Sequence, residues 1–343
     1  MFDEALAFIF GMGDLIWGKN KDTDKYPISE EKDKEIYHSN QVKPMTYQFR
    51  PQNLEQYIGQ DRAKELVRLN LQKIMTTKFV HFIISGTQGT GKSTLAYILA
   101  KHLDFKIHTY IGGSFTMDNI KTFFCENEVG KNHILFIDEI HSLPKEMAEF
   151  MYPLLESPPM LPVGDIEVRK FIFIGCTTEK NTLQKKFSPL IDRCGCQINL
   201  EHYQAEDIKK ILKQYNSQTY KADVPEEIYD ILSVNTRFNP RNSISLFDDY
   251  MVCKNINQVL QAHRIVKNSL TTDDILILEH LQEINKPVGV ETLAIIIQQT
   301  RQDYQALLEP FLIQQGYISR TARGRVVTEK AKLFLKEVNN GRK

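Results

Sequence analysis

The residues with the clearest chemical potential form the stretch Gly86–Ser93, which reads GTQGTGKS. The apolar run HFIIS precedes it and the amphipathic run STLAYILAKHL follows, so the pattern predicts a strand, a loop and a helix. Backbone N–H groups of such a loop surround phosphate oxygens at the helix N-terminus, and the lysine reaches the β- and γ-phosphates. The spacing therefore predicts a nucleotide phosphate site formed by Gly86, Gly89, Gly91, Lys92, Ser93 and Thr94.

Two adjacent carboxylates, Asp138 and Glu139, end the apolar run ILFIDE. Asp138 can hold Mg²⁺ through water while the Ser93 hydroxyl ligates the ion, and Glu139 can polarise a water molecule for attack on the γ-phosphate. An ordinary strand with an acidic end at a solvent edge is the alternative interpretation. The phosphate loop upstream favours the catalytic one.

A third apolar run, FIFIGCTT, ends in the hydroxyls of Thr177 and Thr178. Ligands of parallel sheets sit at the carboxyl ends of the strands, so either threonine can contact the γ-phosphate. Both can also serve as caps of the strand end. The sequence leaves these two interpretations open.

Two arginines are candidates for stabilising the transition state: Arg193 in SPLIDRCG and Arg241 in NPRNSISLF. Phosphoryl transfer needs positive charge near the equatorial oxygens of the transferred group, and arginine supplies it. Charge alone favours two ordinary surface arginines. Their order along the chain supports the catalytic interpretation, as explained below.

Composition divides the chain into four zones. Residues 1–45 contain a short amphipathic segment and a charge-dense arm or linker. In residues 46–203, apolar runs alternate with longer amphipathic stretches, which predicts an α/β fold with a parallel sheet sandwiched by helices. Residues 204–269 have a helical pattern throughout, which predicts a small all-α domain. Residues 270–343 predict three helices and a two-stranded hairpin, the pattern of a winged-helix domain.

Charge and cysteine content limit the partners and the compartment. The 343 residues carry 43 Lys and Arg and 43 Asp and Glu, so any contact with nucleic acid depends on a local patch. The five cysteines lack the paired spacing of zinc sites, which indicates reduced thiols. The N-terminal segment is acidic where a signal peptide is basic, and it is too short to cross a bilayer. We therefore expect a cytoplasmic protein without membrane contact.

A local basic patch lies near the C-terminus. From Ile318 onward there are eight Lys and Arg but only two Glu, and RTARGR carries Arg320, Arg323 and Arg325 on a predicted turn. Arginines on a wing bridge phosphates without reading bases, which predicts DNA binding that is independent of sequence. A solvated basic tail is the alternative, and the ordered turn favours DNA contact for these three arginines.

The motifs in this order resemble the AAA+ ATPases, and more narrowly the RuvB family of Holliday-junction branch-migration motors. The most specific matches are FRPQNLEQYIGQ, LFIDEIHSL, FIGCTTEK, SPLIDRCG, NPRN, PVGVETLA and LEPFLIQQGYISRTARGR. The resemblance implies an ATP hydrolase that uses ATP and Mg²⁺, with a P-loop AAA+ domain, a small helical lid and a winged-helix domain. It also implies a hexameric ring in which ATP lies between subunits.

The resemblance assigns further roles to individual residues. It implies that Arg193 is an arginine finger acting on a neighbour's nucleotide and that Arg241 is a sensor in the lid. It implies that the nucleotide base is bordered by Phe49, Arg50 and Tyr203. For the winged-helix domain it implies DNA contacts by Arg301, Arg320 and Arg325, with Arg323 between the last two.

Two regions depart from the family pattern and indicate a divergent member. Residues 157–170, SPPMLPVGDIEVRK, are shorter than the hairpin that docks RuvB proteins on their RuvA partner, which weakens the expectation of a RuvA-type partner. The N-terminal arm is foreign to the family. Its apolar stripe predicts docking on a partner or a neighbouring subunit, with packing inside the chain as the alternative; the stripe consists of Phe2, Leu6, Ile9 and Phe10.

Three functions agree with these motifs: a DNA-translocating ATPase for branch migration, a clamp-loader-like ATP switch, and a nucleotide-dependent DNA-binding scaffold. Intact Lys92, Asp138, Glu139 and Arg193 disfavour the scaffold. The winged-helix end favours the motor over the loader, because clamp loaders typically end in a helical collar. The sequence therefore predicts an ATP-dependent DNA motor.

Overall fold

Strands and helices alternate in the first half of the molecule. The computed structural model describes residues 50–76, 80–125, 132–156 and 171–341, with no side-chain description for 339–341. The elements of this half are α1 (Asp61–Thr76), β1 (Phe82–Ser85), α2 (Lys92–Leu103), β2 (Lys106–Ile111), α3 (Met117–Cys125), β3 (His133–Asp138), α4 (Lys145–Leu154), β4 (Phe171–Thr177), α5 (Lys180–Arg193) and β5 (Cys196–Asn199).

The five strands form one sheet in the order β2-β3-β4-β1-β5, and every neighbouring pair is parallel. Alternate side chains of a strand point to opposite faces. Phe82 and Ile84 of β1 therefore pack with α1 and α2, whereas Ile83 packs with α3, α4 and α5. Because the strands are parallel, the residues that follow β1, β3 and β4 lie together at the carboxyl ends of the strands.

Four helices follow the sheet: α6 (Ala205–Thr219), α7 (Glu226–Val234), α8 (Pro240–Cys253) and α9 (Ile256–Ala262). Their apolar faces share a core in which the fully buried Phe247 stacks on Tyr229 with ring centroids 5.8 Å apart. Pro240 occupies the first turn of α8, where its missing N–H costs no helical hydrogen bond. The predicted helical pattern is thus present up to Ala262, whereas the end of the predicted range 204–269 contains a short strand, Ile265–Lys267.

The last part of the chain has its own core and a hairpin. Its elements are β6 (Ile265–Lys267), β7 (Leu270–Thr271), α10 (Thr272–Ile284), α11 (Val290–Ile296), α12 (Arg301–Asp303), a π-helical turn (Tyr304–Leu308), α13 (Glu309–Gln314), β8 (Ile318–Thr321), β9 (Gly324–Val327) and α14 (Glu329–Gly341). Strands β8 and β9 are antiparallel and pair Arg320 with Arg325. Hereafter they are called the wing hairpin.

Gly324 makes a close backbone approach possible in the wing hairpin. A Cβ atom on this residue would lie 2.4 Å from Val288 O, inside van der Waals contact. The glycine thus lets Val288 and Arg325 exchange backbone hydrogen bonds of 2.9 and 2.8 Å, which add a third strand segment to the hairpin. A larger residue at this position would separate the strands.

The predicted fold class is confirmed: a parallel sheet between helices, a helical region and a winged-helix region follow one another. The strands β2 and β5, the small β6–β7 hairpin and the helix α14 were not predicted. Residues Phe49–Lys343 form one compact unit. The boundaries 1–45, 46–203, 204–269 and 270–343 stay predictions, and the N-terminal arm and residues 157–170 lie outside the described residues. No helix among the described residues is long and apolar enough to cross a bilayer.

Candidate nucleotide site and wing hairpin

The phosphate loop joins β1 to α2, and its glycines adopt backbone conformations that favour glycine. Gly89 has φ 80° and Gly91 has φ 97°. A Cβ atom on Gly89 would lie 2.3 Å from Asn239 Oδ1, and one on Gly91 would lie 2.7 Å from Tyr57 Oη. The glycines therefore let the loop turn tightly between these side chains. Gly91 gives α2 no side-chain cap, so the first N–H groups of this helix can bind a phosphate.

Lys92 lies buried inside the loop that it follows. Its Nζ donates hydrogen bonds to the carbonyl oxygens of Gly86 at 2.9 Å and Thr87 at 3.1 Å. Burial lowers the pKa of Lys92, and the nearby carboxylate of Glu139 opposes this effect. An ammonium group in this position can exchange the loop carbonyls for the phosphate oxygens of a nucleotide.

Ser93 and Asp138 bring a hydroxyl and a carboxylate into contact. Ser93 Oγ, in the first turn of α2, donates to Asp138 Oδ2 at 3.1 Å. The other carboxylate oxygen accepts from the backbone N–H of Glu139 at 3.0 Å. Oxygen donors of this kind suit Mg²⁺ beside a nucleotide phosphate, so these residues fit the predicted metal site. Thr94 follows in the same helical turn and is half-buried.

Glu139 begins a sharp turn after β3. Its φ of 49° lies in the left-handed region, which is uncommon for a glutamate and fixes the direction of the side chain. Glu139 Oε2 accepts a hydrogen bond from Thr178 Oγ1 at 2.9 Å, and Ser142 Oγ donates to Glu139 O at 2.6 Å. The predicted base therefore lies directly beside Asp138 and is held by a residue that follows β4.

The two threonines after β4 make different contacts. Thr178 contacts the carboxylate of Glu139, whereas the fully buried Thr177 accepts from the backbone N–H of Glu179 at 3.0 Å, as a strand-end cap does. Thr177 Oγ1 also lies 3.0 Å from His141 Nδ1. His141 was not among the predicted site residues, although it stands in the same DEIH segment as the two acids.

Two tyrosines support the loop from its buried side. Tyr203 Oη donates to the carbonyl oxygen of Thr90 at 3.1 Å, and Tyr57 Oη contacts the same oxygen at 3.4 Å. Burial raises the pKa of Tyr203 to about 12, so its hydroxyl remains a donor at neutral pH. Tyr203 was predicted to border the nucleotide base; Tyr57 was missed.

A cavity of about 240 Å³ adjoins Tyr203 and is lined by Gly59, Gln60, Asp61, Arg62, Ala63, Asn199, Glu201, His202, Gln204 and Asp207. Arg50 lies elsewhere, with its guanidinium 4.3 Å from the ring centre of Tyr97 on α2. Phe49, the third residue predicted to border the base, lies outside the described residues. The structure thus associates one of the three predicted residues, Tyr203, with this cavity.

Asn239 and Arg241 connect the helical region to the phosphate loop. Asn239 Nδ2 donates to the carbonyl oxygen of Gln88 at 2.7 Å, while its Oδ1 caps α8 by accepting from the backbone N–H of Arg241 at 3.0 Å. Arg241 is exposed in the first turn of α8, and its charge adds to the effect of burial in lowering the pKa of Lys92. The predicted sensor arginine therefore lies near the phosphate loop.

Arg237, two residues before Asn239, contacts the winged-helix region. Its guanidinium donates to Asp274 Oδ2 at 2.6 Å and to the carbonyl oxygen of Leu307 at 2.7 Å, and it lies 4.7 Å from the ring centre of Phe311. The segment Arg237–Arg241, hereafter the joint segment, thus contacts the phosphate loop and the winged-helix core within five residues.

Arg193, the predicted arginine finger, ends α5 and contacts α4 and its own helix. Its Nε lies 2.8 Å from Glu156 Oε1, NH1 donates to the carbonyl oxygen of Pro189 at 2.7 Å, and the guanidinium lies 5.4 Å from the ring centre of Tyr152. None of these contacts within the described chain is with Lys92 or the acids after β3. Arg193 is therefore not part of its own chain's phosphate site in this structure.

The wing arginines differ in their surroundings. Arg320 and Arg325 both bind the fully buried carboxylate of Glu309, Arg320 through Nε and NH2 at 3.0 and 2.8 Å. Arg325 is 15% exposed, whereas 57% of the Arg320 side chain faces solvent. Arg323 is exposed at the hairpin turn, and Arg301 pairs with Glu291 at 2.7 Å. The structure thus separates the mostly covered Arg325 from the exposed arginines, a difference that the RTARGR pattern does not reveal.

Comparison with known proteins identifies the family. Residues 49–200 match the P-loop domain of the Holliday junction DNA helicase RuvB, and residues 267–336 match the RuvB C-terminal winged-helix domain. The RuvB subunit of the Holliday junction branch migration complex from Acholeplasma laidlawii is 34% identical over 309 residues, which cover 82% of this chain and 90% of that protein. This chain belongs to the RuvB family.

Solved structures agree with this assignment to the RuvB family. A Thermotoga maritima RuvB branch migration motor superposes with a TM-score of 0.69 at 31% identity, covering 84% of this chain and 98% of that one. The Aeropyrum pernix ORC2 protein, at 14% identity and a TM-score of 0.51, shares the fold alone. The predicted family, fold and enzyme class are therefore confirmed: the chain is an ATP-driven DNA motor with a nucleotide-binding P-loop domain.

Proposed function

We propose that this RuvB-family chain hydrolyses ATP to move along duplex DNA and to drive branch migration of four-way junctions. The observation that carries the proposal is the joint segment. Asn239 binds the phosphate loop and Arg237 binds the winged-helix core, so a change at the nucleotide has a short covalent path to the DNA-binding region.

In the proposed reaction, Lys92 binds the β- and γ-phosphates, and Ser93 and Asp138 hold Mg²⁺. The bound ion neutralises charge on the phosphate oxygens. Glu139 leaves its hydrogen bond with Thr178 and accepts a proton from the attacking water. The contacts of these side chains across the carboxyl ends of β1, β3 and β4 support this division of roles.

We also propose that Arg193 completes the ATP site of a neighbouring subunit in a hexameric ring. The support is that its contacts lie on α5, on Tyr152 of α4 and on Glu156 just after α4, apart from the phosphate site of its own chain. Binding in trans would require Arg193 to exchange Glu156 for the phosphate of the neighbour. Arg241 would supply a second positive charge from the lid.

Contact with DNA is proposed for the winged-helix arginines Arg301, Arg320, Arg323 and Arg325. Exposure favours Arg323 and the outward part of Arg320 as direct phosphate ligands. The less exposed Arg325 would contribute its positive charge and hold the hairpin through Glu309. These contacts carry no base recognition, which suits a motor that moves along any sequence.

Other assignments of the proposal rest on the sequence. A base site bordered by Phe49, Arg50 and Tyr203, sensing by Thr177 and Thr178, and a cytoplasmic location agree with the family. A RuvA-type partner has less support, because the segment 157–170 is shorter than the hairpin that docks RuvB proteins on RuvA. This segment lies outside the described part of the chain. The N-terminal arm would serve recruitment or assembly.

The test is the ATP hydrolysis rate with and without duplex DNA for the wild type, Lys92→Ala and Lys101→Ala. Lys101 lies on the exposed side of α2 and binds Gln52, so it serves as a matched control. We expect DNA-stimulated hydrolysis in the wild type and the control, and loss of ATP binding in Lys92→Ala. Hydrolysis by Lys92→Ala at the wild-type rate would contradict the proposed site.

A further inference from the structure

His141 lies between two carboxylates beside the hydrolytic site. Its Nδ1 is 3.2 Å from Glu139 Oε2, and its Nε2 is 3.5 Å from Glu179 Oε1. The imidazole is largely buried, with 15% of the side chain exposed. Neither the phosphate loop nor the proposed metal site uses this histidine, so its position requires a separate explanation.

Each ring nitrogen of His141 faces a carboxylate, and either contact is attractive only when that nitrogen carries a proton. A carboxylate oxygen only accepts hydrogen bonds, so the short contact with Glu139 is attractive when Nδ1 is protonated. The hydrogen-bond partner of Nδ1 is the Thr177 hydroxyl at 3.0 Å, and the Glu139 carboxylate lies 3.2 Å from the same nitrogen as a second, ion-pair contact. A protonated Nδ1 can therefore turn from Thr177 to the carboxylate that is proposed to activate water.

The backbone makes such a donor effective. Residues Ile140–Ser142 form a 3₁₀ turn directly after Glu139, so His141 and the carboxylate are carried by one short turn. Glu139 Oε2 also accepts from Thr178, which follows the neighbouring strand. The Thr178 hydroxyl and the His141 ring, which follow two neighbouring strands, thus both contact Oε2 and leave Oε1 for other contacts.

We infer that His141 is a positioning residue for ATP hydrolysis: it orients the Glu139 carboxylate, and Glu179 orients the imidazole in turn. The inference rests on the proposed role of Glu139. When Thr178 releases the carboxylate, His141 keeps one oxygen fixed while the other accepts the proton of the attacking water. The Glu179 backbone N–H caps Thr177, which ties the whole cluster to the end of β4.

Replacement of His141 by leucine removes the donor and keeps a similar volume. The His141→Leu variant is expected to lose about 10- to 100-fold in kcat, because the Glu139 carboxylate loses a side chain that orients it. Its KM and its affinity for ATP should be unchanged. The Asn side chain in His141→Asn presents an N–H close to the position of Nδ1. It is expected to recover kcat to within about threefold of wild type. His102→Leu, on the exposed side of α2, is the matched control and should keep full activity.

A double-mutant cycle separates positioning from a general structural role. If His141 acts through Glu139, adding His141→Leu to Glu139→Gln should not lower the residual kcat further. Equal losses in both backgrounds, a His141→Leu kcat within twofold of wild type, or a His141→Asn variant as slow as His141→Leu would each overturn the inference.

Two further measurements make the result decisive. Should His141→Leu fail to fold by circular dichroism, Glu179→Gln replaces it, because the Glu179 side chain is 55% exposed. That variant is expected to lose about threefold in kcat at constant KM, and an unchanged kcat would contradict the inference. The proposed function is tested separately, by ATP hydrolysis in the wild type and its loss in Glu139→Gln. If Glu139→Gln hydrolyses ATP normally, the role of Glu139 as the base is wrong. If only the His141 variants keep a normal kcat, the role of His141 alone is wrong.

Discussion

At the scale of single residues, two neighbouring acids, Asp138 and Glu139, make different contacts. Asp138 contacts Ser93 and belongs to the proposed metal site, whereas Glu139 contacts Thr178 and is free of Ser93 in its described contacts. The two acids differ because β3 ends at Asp138 and the left-handed turn redirects Glu139. The two adjacent carboxylates thus make different contacts, which agrees with the different roles proposed for them.

We expect Glu139→Gln to bind ATP with the affinity of the wild type and to hydrolyse it at least about 10²-fold more slowly, because the amide cannot accept a proton. Glu146→Gln, an exposed site on α4, is the matched control and should be fully active. The measurement is single-turnover hydrolysis at saturating ATP. A Glu139→Gln rate near that of the control would remove Glu139 as the base.

The sequence predicted some site residues and missed others for a physical reason. Lys92 and Ser93 were predictable because phosphate geometry fixes their spacing within one short loop. Tyr57 and Asn239 contribute through contacts with residues 33 and 151 positions away, which no local pattern encodes. His141 was adjacent to the motif, but its role depends on residues after β4.

At the scale of elements, the wing hairpin combines arginines that are exposed with arginines that hold a buried carboxylate. Glu309 at the start of α13 is fully buried and binds Arg320 and Arg325 on opposite strands. Removing Glu309 would leave Arg325 largely buried without its partner, and loss of one partner of a buried pair costs about 3–5 kcal/mol. A double substitution of both arginines would therefore disturb the fold together with any DNA contact.

Arg323 offers the cleaner test of DNA binding, because it is exposed at the turn. We expect Arg323→Ala to keep the wild-type melting temperature and to weaken binding to all duplex sequences. The slope of log affinity against log salt should fall by about one unit for one lost phosphate contact. Arg68→Ala on α1 is the control. An unchanged affinity at two salt concentrations would contradict the proposed contact.

The Glu309 network also predicts a pH dependence. Burial raises the pKa of Glu309, but the hydrogen bonds from Arg320 and Arg325 outweigh it and hold the pKa below its usual value of 4.5. A lowered carboxyl pKa stabilises the fold above the unfolded-state pKa, and this stabilisation is lost as pH falls through the folded-state pKa. The stability advantage of the wild type over Glu309→Gln should therefore shrink below about pH 4.5. Thermal melts of both proteins at several pH values test this, and a constant difference would refute it.

Elements were predicted best where burial is greatest. Strands β1, β3 and β4 occupy the centre of the sheet and consist mainly of apolar residues, so their runs were recognised. Strands β2 and β5 lie at the two edges, and their sequences KIHTYI and CQIN alternate with polar residues. Edge strands need less apolar surface, and the apolar signal on which the prediction relied is correspondingly weaker.

At the scale of the whole molecule, hydrolysis is expected to require assembly. Arg193→Ala should bind ATP and lose about 10³-fold or more in hydrolysis, as for other arginine fingers. Arg193→Ala mixed with Lys92→Ala should regain activity, because some boundaries combine an intact finger with an intact phosphate loop. Crosslinking verifies that both variants enter the same assemblies. If no mixing ratio of such assemblies restores ATP hydrolysis, Arg193 acts on the nucleotide of its own chain.

The central claim is that ATP hydrolysis by this chain moves DNA branches. The most direct measurement is conversion of a labelled four-way junction into its duplex products, with a linear duplex of the same arms as substrate control and Glu139→Gln as protein control. We expect ATP-dependent conversion of the junction by the wild type, no conversion by Glu139→Gln, and no unwinding of the linear duplex. An intact junction in the presence of rapid, DNA-stimulated ATP hydrolysis would contradict it.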